Sequence, residues 1–328
     1  MKRVLHLIDN SNLAMGGAQR ILHQLMQGLC TYRHSVLTQR LPGRRCSGLF
    51  SVCYSIYMVL IRRPSVVFIH SRLFLPAAPL FRLCRIPTLF ICHSCFPNRH
   101  FMMRLFCPRW VIAVSGTVKQ YLRRCRISSR IFIVHNAVGD PGPGDVIGAG
   151  GRLAFVGSLR PEKGILEIIP MLEKYGEKKN VSTYLDIVGD GPEKKKIRNL
   201  LLSCRHVEGP VHGYQKHPYD CIGKARILLV PSRYEGFGLV IIEGLLAKKA
   251  IVCSDLDVFR EIASLDDENR LSYFTPGDKT SFFEAMDKAI MRSTDNEWLE
   301  RNRVYALKFF GEKRMLNGYR AAMKEMGI

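Results

Sequence analysis

Glu235 and Glu243 stand eight positions apart in Glu235-Gly236-Phe237-Gly238-Leu239-Val240-Ile241-Ile242-Glu243. Eight helical positions make just over two turns. A helix starting near Gly238 therefore points Glu243 back along the face on which Glu235 enters. The Gly236 and Gly238 amides would lie at the helix N-terminus, where oxyanions bind well. Carboxylates that accept from sugar hydroxyls, beside amides that hold phosphate, suit a nucleotide-sugar. Acidic pairs at this spacing are also common on solvated helices. That reading leaves Glu243 unexplained, because the apolar Leu245-Leu246-Ala247 follows it closely.

A second segment, Phe155-Val156-Gly157-Ser158-Leu159-Arg160-Pro161-Glu162-Lys163-Gly164, follows an apolar run. A glycine there lets backbone approach a phosphate, and the basic side chains after it neutralise the charge. Val188-Gly189-Asp190-Gly191 and Val211-His212-Gly213-Tyr214 close two further runs. Each is an ordinary turn when taken alone.

These segments need strands to carry them. Apolar runs occur at Val4–Asp9, Ser35–Leu37, Val66–Ile69, Thr88–Ile91, Trp110–Val114 and Ile131–Val134. A second series follows at Leu153–Val156, Tyr184–Val188, Val207–Gly209, Ile227–Val230 and Ala250–Cys253. Helical patterns separate most of them, as in a doubly wound α/β protein with parallel sheets. Breaker-rich sequence from Gly139 to Gly151 divides the two series. The expected division is a basic domain at 1–140, a linker at 141–151, a second domain at 152–305 and a helix at 306–328, which could pack back on the first domain. The stretch from about Asn296 to Met326 reads as amphipathic helix.

The 328 residues carry a net charge of +21. Residues 1–140 hold 20 Lys/Arg against two acids, Asp9 and Asp140, which accounts for +18. Such a field attracts an anionic membrane, nucleic acid or an acidic substrate. Arginines beside apolar residues, as in Phe101-Met102-Met103-Arg104-Leu105-Phe106, suit an interfacial membrane contact. No nucleic-acid motif accompanies the charge. The apolar stretch Leu49 to Ile61 is too short to span a bilayer and reads as a buried helix. His6 and Asp9 interrupt the first apolar run, so no signal peptide is expected. Eleven scattered cysteines then read as reduced thiols. Cys92-His93-Ser94-Cys95 has no second pair at metal spacing, so zinc is not expected.

Pro231-Ser232-Arg233-Tyr234-Glu235-Gly236-Phe237-Gly238, with Glu243, resembles the Glu-x7-Glu motif of the family-4 retaining glycosyltransferases. The turns above follow in that family's order across residues 151–280. The resemblance implies a GT-B fold, two Rossmann-like domains facing a central cleft. It also implies catalytic roles for His93, Glu235 and Lys163. Gly16, Gly17, Arg160, Lys163, Gly236, Phe237, Gly238, Leu239 and Glu243 would bind the donor. Gly189, Asp190, Gly191, His212, Gly213 and Tyr214 would flank the base and ribose. Ser158 stands where the family carries an arginine, and Arg160 follows two residues later.

The reading is a retaining, metal-independent transferase without a cofactor. Its donor would be a nucleotide-diphosphate sugar and its acceptor a glycolipid or lipid-linked saccharide. It would work in the cytoplasm, peripheral on the inner face of the cell membrane, in bacterial lipopolysaccharide, O-antigen or capsule assembly. Asp255-Leu256-Asp257 is discounted as a metal motif. The alternatives are a charge-driven nucleic-acid-binding protein and an inactive homologue. A dinucleotide-dependent oxidoreductase lacks its glycine spacing here, and no acid lies between Asp9 and Asp140.

Overall fold

The computed structural model describes residues 2–10, 16–41, 44–45, 47–95, 100–142, 152–266 and 269–328. Most of the expected linker, at 143–151, lies outside the described residues. The chain forms two compact units. One comprises Met1–Ala137 with Glu312–Ile328, and the other comprises Val138–Gly311.

The first unit is built on β1 (Arg3–Ile8), β2 (Arg33–Thr38), β5 (Val66–Ile69), β6 (Thr88–Cys92), β7 (Trp110–Ala113) and β8 (Arg130–Ile133), with β3 (Arg40–Leu41) and β4 (Arg44–Arg45) forming a separate antiparallel ribbon. The main sheet is parallel throughout, in the order β2-β1-β5-β6-β7-β8. Every residue of β5 and β6 is buried, so both faces of the central strands are covered.

The second unit carries β9 (Arg152–Val156), β10 (Thr183–Val188), β11 (Val207–Glu208), β12 (Val211–Gly213), β13 (Ile227–Val230), β14 (Ala250–Ser254) and β15 (Ser272–Phe274). Its order is β11-β10-β9-β13-β14-β15, with β12 also paired to β10. From β9 the chain runs outward through β10, then returns to the other side of β9 as β13. The direction of winding therefore reverses between β9 and β13. Ligands of open α/β sheets bind beyond the carboxyl ends of strands at such a reversal. Phe155, Ile187, Leu229 and Val252 from the strands pack with Leu172 and Phe282 from the helices in the core.

One helical expectation is refined and another changes. The C-terminal stretch is two helices, Asn296–Phe310 and Glu312–Glu325, separated where Gly311 turns extended at φ −73°, ψ 152°. The second belongs to the first unit. There Leu316 covers Gly28, Gly318 lies on Val134, and Tyr319 meets Phe68 at 6.3 Å between ring centres. The helix Gly48–Arg62 was expected to be buried, and it is not. It buries only Ser51, Ser55 and Val59, while Leu49, Phe50, Tyr57, Leu60 and Ile61 are exposed. Its apolar residues encircle the axis, but its packing is one-sided, mainly against the turn at Arg72–Ala77.

Candidate active site

In the second unit, β9 leads into the loop bearing Lys163, and its neighbour β13 leads into the loop bearing Glu235. The two loops meet at the winding reversal. The Lys163 ammonium donates to Glu235 Oε1, and the Ser232 hydroxyl donates to the same oxygen at 3.1 Å. The Arg233 amide donates to the Glu162 carbonyl at 2.9 Å, and the Arg233 guanidinium pairs with Glu167. Both members of the central pair are mostly buried, so the ammonium is fixed in place.

Gly164 makes this approach possible. Its φ is 71°, and a Cβ there would overlap the Pro231 carbonyl oxygen. Gly164→Ala is expected to lose about 1–2 kcal/mol from the left-handed backbone alone, and the overlap adds to that. Urea unfolding measures the loss. A variant as stable as the parent would mean that the two loops do not touch.

Gly238 precedes the helix Leu239–Leu246 with φ 90°, and Phe259 lies 2.6 Å from where its Cβ would be. The helix thus starts one residue after the glycine, as the spacing requires. Glu243 falls on its buried face, where the Tyr219 hydroxyl donates to Oε2 at 3.4 Å. Phe237 points inward and packs edge-on against Phe310, with ring centres 5.9 Å apart. Gly236 and Leu239 lie on either side of Phe237 and Gly238 in this turn.

The remaining loops of this unit are stitched together at the carboxyl ends of β9, β10 and β12. The Gly157 amide donates to Val188, Leu159 to Asp190, and Gly189 to Gly213, all at 2.9–3.0 Å. Asp190 accepts from Lys194 at 2.9 Å and from the Gly191 amide at 2.8 Å. The Lys194 bond, foremost, holds the Asp190 carboxyl below its usual range. His212 Nε2 donates to the buried Asp186 at 2.9 Å, and Tyr214 is exposed. Arg160 is exposed, with Glu162 4.0 Å away.

In the first unit, Gly16 and Gly17 open the helix Gly17–Gly28. His93 follows β6, half-buried, with Nε2 3.3 Å from His70 Nδ1. Burial lowers the His93 pKa to about 4, so the ring is neutral at physiological pH.

Sequence reasoning did not single out Ser232, Tyr219, Asp186 or His70 as partners of these groups. Ser232 alone had a signal, standing three residues before Glu235 in the same turn. Asp255, in the discounted tripeptide, is clasped by Arg260 at 2.5 and 2.6 Å.

The arrangement offers a fixed cation, a glycine turn at a helix start and a buried carboxylate. Those parts can hold a diphosphate and polyhydroxylated groups. Residues 15–139 match the model for Glycosyltransferase Family 4, and residues 150–304 match that for Glycosyl transferases group 1. An uncharacterized glycosyltransferase of Methanocaldococcus jannaschii, MJ1178, is 27% identical over 224 residues, 66% of this chain and 59% of that protein. The putative teichuronic acid biosynthesis glycosyltransferase TuaC of Bacillus subtilis is 34% identical over 106 residues, 32% of this chain and 25% of that one. The chain thus spans less than two thirds of the length of either relative. Anabaena Alr3699/HepE, solved in complex with UDP-glucose, superposes with a TM-score of 0.78 at 15% identity, over 99% of this chain and 100% of that one. With family matches over both units and that shared fold, the chain belongs to the family-4, group 1 glycosyltransferases of the GT-B type.

Proposed function

We propose that the protein is a retaining, metal-independent transferase that moves a sugar from a nucleoside-diphosphate sugar to a glycolipid or lipid-linked acceptor. The observation that carries this reading is the Lys163–Glu235 pair at the winding reversal, with the buried Glu243 one short helix away. Glu243 takes the ribose hydroxyls. Glu235 and the Gly236–Gly238 amides take the donor sugar and diphosphate, and His93 takes the sugar. Lys163, joined by Arg160, neutralises the leaving diphosphate. The Gly189–Gly191 and His212–Tyr214 loops flank the base. The acceptor oxygen bonds to the anomeric carbon on the face from which the diphosphate departs. The departing phosphate oxygen takes the acceptor proton, so no side chain need act as nucleophile.

The setting is bacterial lipopolysaccharide, O-antigen or capsule assembly, at the inner face of the cell membrane. TuaC, named for teichuronic acid biosynthesis, supports that reading. So does the outer face of the helix Gly48–Arg62. Its exposed Leu49, Phe50, Tyr57, Leu60 and Ile61 accompany Arg62, and Phe101 and Leu105 are exposed on the helix His100–Phe106. Apolar and basic groups together suit an anionic lipid surface. No helix among the described residues is long and apolar enough to cross a membrane. A cavity of about 460 Å³ in the same unit, lined by Asp9, Gln39, Leu49, Arg72 and Met102 among others, is the acceptor site in this reading.

The test is binding and turnover across UDP-, GDP-, ADP- and CMP-sugars in EDTA, with and without anionic vesicles, beside Glu235→Ala. One donor should bind saturably and turn over with its anomeric configuration kept, and Glu235→Ala should abolish turnover. Glu243→Ala should weaken donor binding roughly 10- to 100-fold, the worth of a hydrogen bond to a charged acceptor. Folded protein that binds no donor overturns the reading. An inverted product refutes retention, activity only with added metal refutes metal independence, and indifference to vesicles refutes the membrane site.

A further inference from the structure

Four histidines of the first unit form one continuous hydrogen-bonded row. They come from four consecutive strands of the sheet: His34 from β2, His6 from β1, and His70 and His93 from just beyond β5 and β6. The register explains why they meet. His34 pairs with Val4, His6 with Phe68, and Ile69 with Phe90. Each histidine therefore stands two residues further along than its neighbour. A step of two keeps all four side chains on one face of the sheet. His34 Nδ1 lies 2.9 Å from His6 Nε2, His6 Nδ1 lies 3.0 Å from His70 Nε2, and His70 Nδ1 lies 3.3 Å from His93 Nε2. At the far end His34 Nε2 lies 3.0 Å from the Leu29 carbonyl oxygen.

That carbonyl sets the direction of the whole row. A carbonyl oxygen only accepts, so His34 carries its proton on Nε2. In the neutral tautomer, which has one N–H, His34 Nδ1 then accepts from His6 Nε2–H. His6 Nδ1 then accepts from His70 Nε2–H, and His70 Nδ1 accepts from His93 Nε2–H. Burial keeps the inner rings neutral. It is the largest cause lowering the His6 pKa to about 3, and it pushes His70 well below its ordinary value.

We propose that this row fixes the tautomer of His93, leaving Nδ1 as a bare acceptor, and that His34, His6 and His70 are positioning residues that hold this polarity. A bare nitrogen lone pair attracts a hydroxyl and repels a phosphate oxygen. On the transferase reading above, His93 then accepts from a hydroxyl of the donor sugar and does not touch the diphosphate. The row itself does not depend on that reading.

The test is two-bond ¹H–¹⁵N correlation of the imidazoles in the full chain, labelled with ¹⁵N-histidine, at neutral pH and without substrate. All four rings should show a pyrrole-type Nε2 and a pyridine-type Nδ1. His34→Lys replaces the first acceptor with a group that can only donate. It should reverse every bond in the row, and His93 Nδ1, three rings away, should become pyrrole-type. His34→Arg serves the same purpose should the lysine variant fail to fold. A wild-type His93 that is protonated, mixed or an Nδ1–H tautomer overturns the proposal. So does a His93 spectrum unchanged in the folded donor variant. A protein that binds no nucleotide-sugar at all leaves these spectra as expected, so the two readings fail separately.

Discussion

Lys163→Ala is expected to lower kcat by about two to three orders of magnitude, the usual loss when one fixed stabiliser of developing charge is removed. The size follows from how little the ammonium can move. Glu235 accepts from it, Ser232 braces Glu235, and the Arg233 amide ties the two loops together. In the proposed transfer, a charge held in a mostly dehydrated place needs no reorganisation as the diphosphate departs. Lys163→Arg should recover only part of the loss, because a planar guanidinium cannot occupy the place of a point charge. Steady-state kinetics with the identified donor, beside a thermal melt to show that the fold survives, checks both variants. A kcat near the parent value would remove Lys163 from the chemistry.

Acid should unfold the first unit at a pH where most carboxylates are still ionised. Unfolded histidines take up protons as pH falls through 6.5, whereas His93 in the fold waits until about 4 and His6 until about 3. His70 is shifted in the same direction. The unfolded chain therefore binds more protons, and stability drains away as pH falls from about 6.5 towards 4. Each histidine adds about 1.4 kcal/mol per pH unit to the slope, so three approach about 4 kcal/mol per unit. Typical total stabilities are about 5–15 kcal/mol, so a drop of about two units removes a large share of a typical total. Urea midpoints measured from neutral pH downwards read the slope, and His6→Gln should remove one histidine's share. A flat profile down to about pH 5 would contradict the buried neutral rings.

The strands were legible because buried parallel strands are short unbroken apolar runs. Val66–Ile69 and Ile227–Val230 coincide with β5 and β13. The Glu235–Gly238 turn was legible because its glycines have a stated steric use. Gly238 shows that use in its left-handed backbone and its closeness to Phe259. What escaped notice depends on register. His6 read only as a break in an apolar run, and His34 and His70 gave no signal, because nothing periodic links single histidines 28 and 64 residues apart. Ser272–Phe274 is too short to stand out and becomes a strand by pairing with β14. The helix Gly48–Arg62 misled for another reason. Composition shows how apolar a helix is, not whether a neighbour exists to cover each side.

The return of residues 312–328 to the first unit has a consequence on the ribosome. Residues 1–137 leave the exit tunnel early, yet the groove formed by Gly28, Phe68 and Val134 stays open until Leu316, Gly318 and Tyr319 arrive. At typical elongation speeds the intervening stretch takes roughly 10–40 s to synthesise. The second unit is contiguous and can close as soon as it emerges. Translation order and folding order are therefore opposed: the half made first is finished last. Through that interval a nascent chain rich in arginine presents an unfilled apolar groove, which is where a holding chaperone would find purchase.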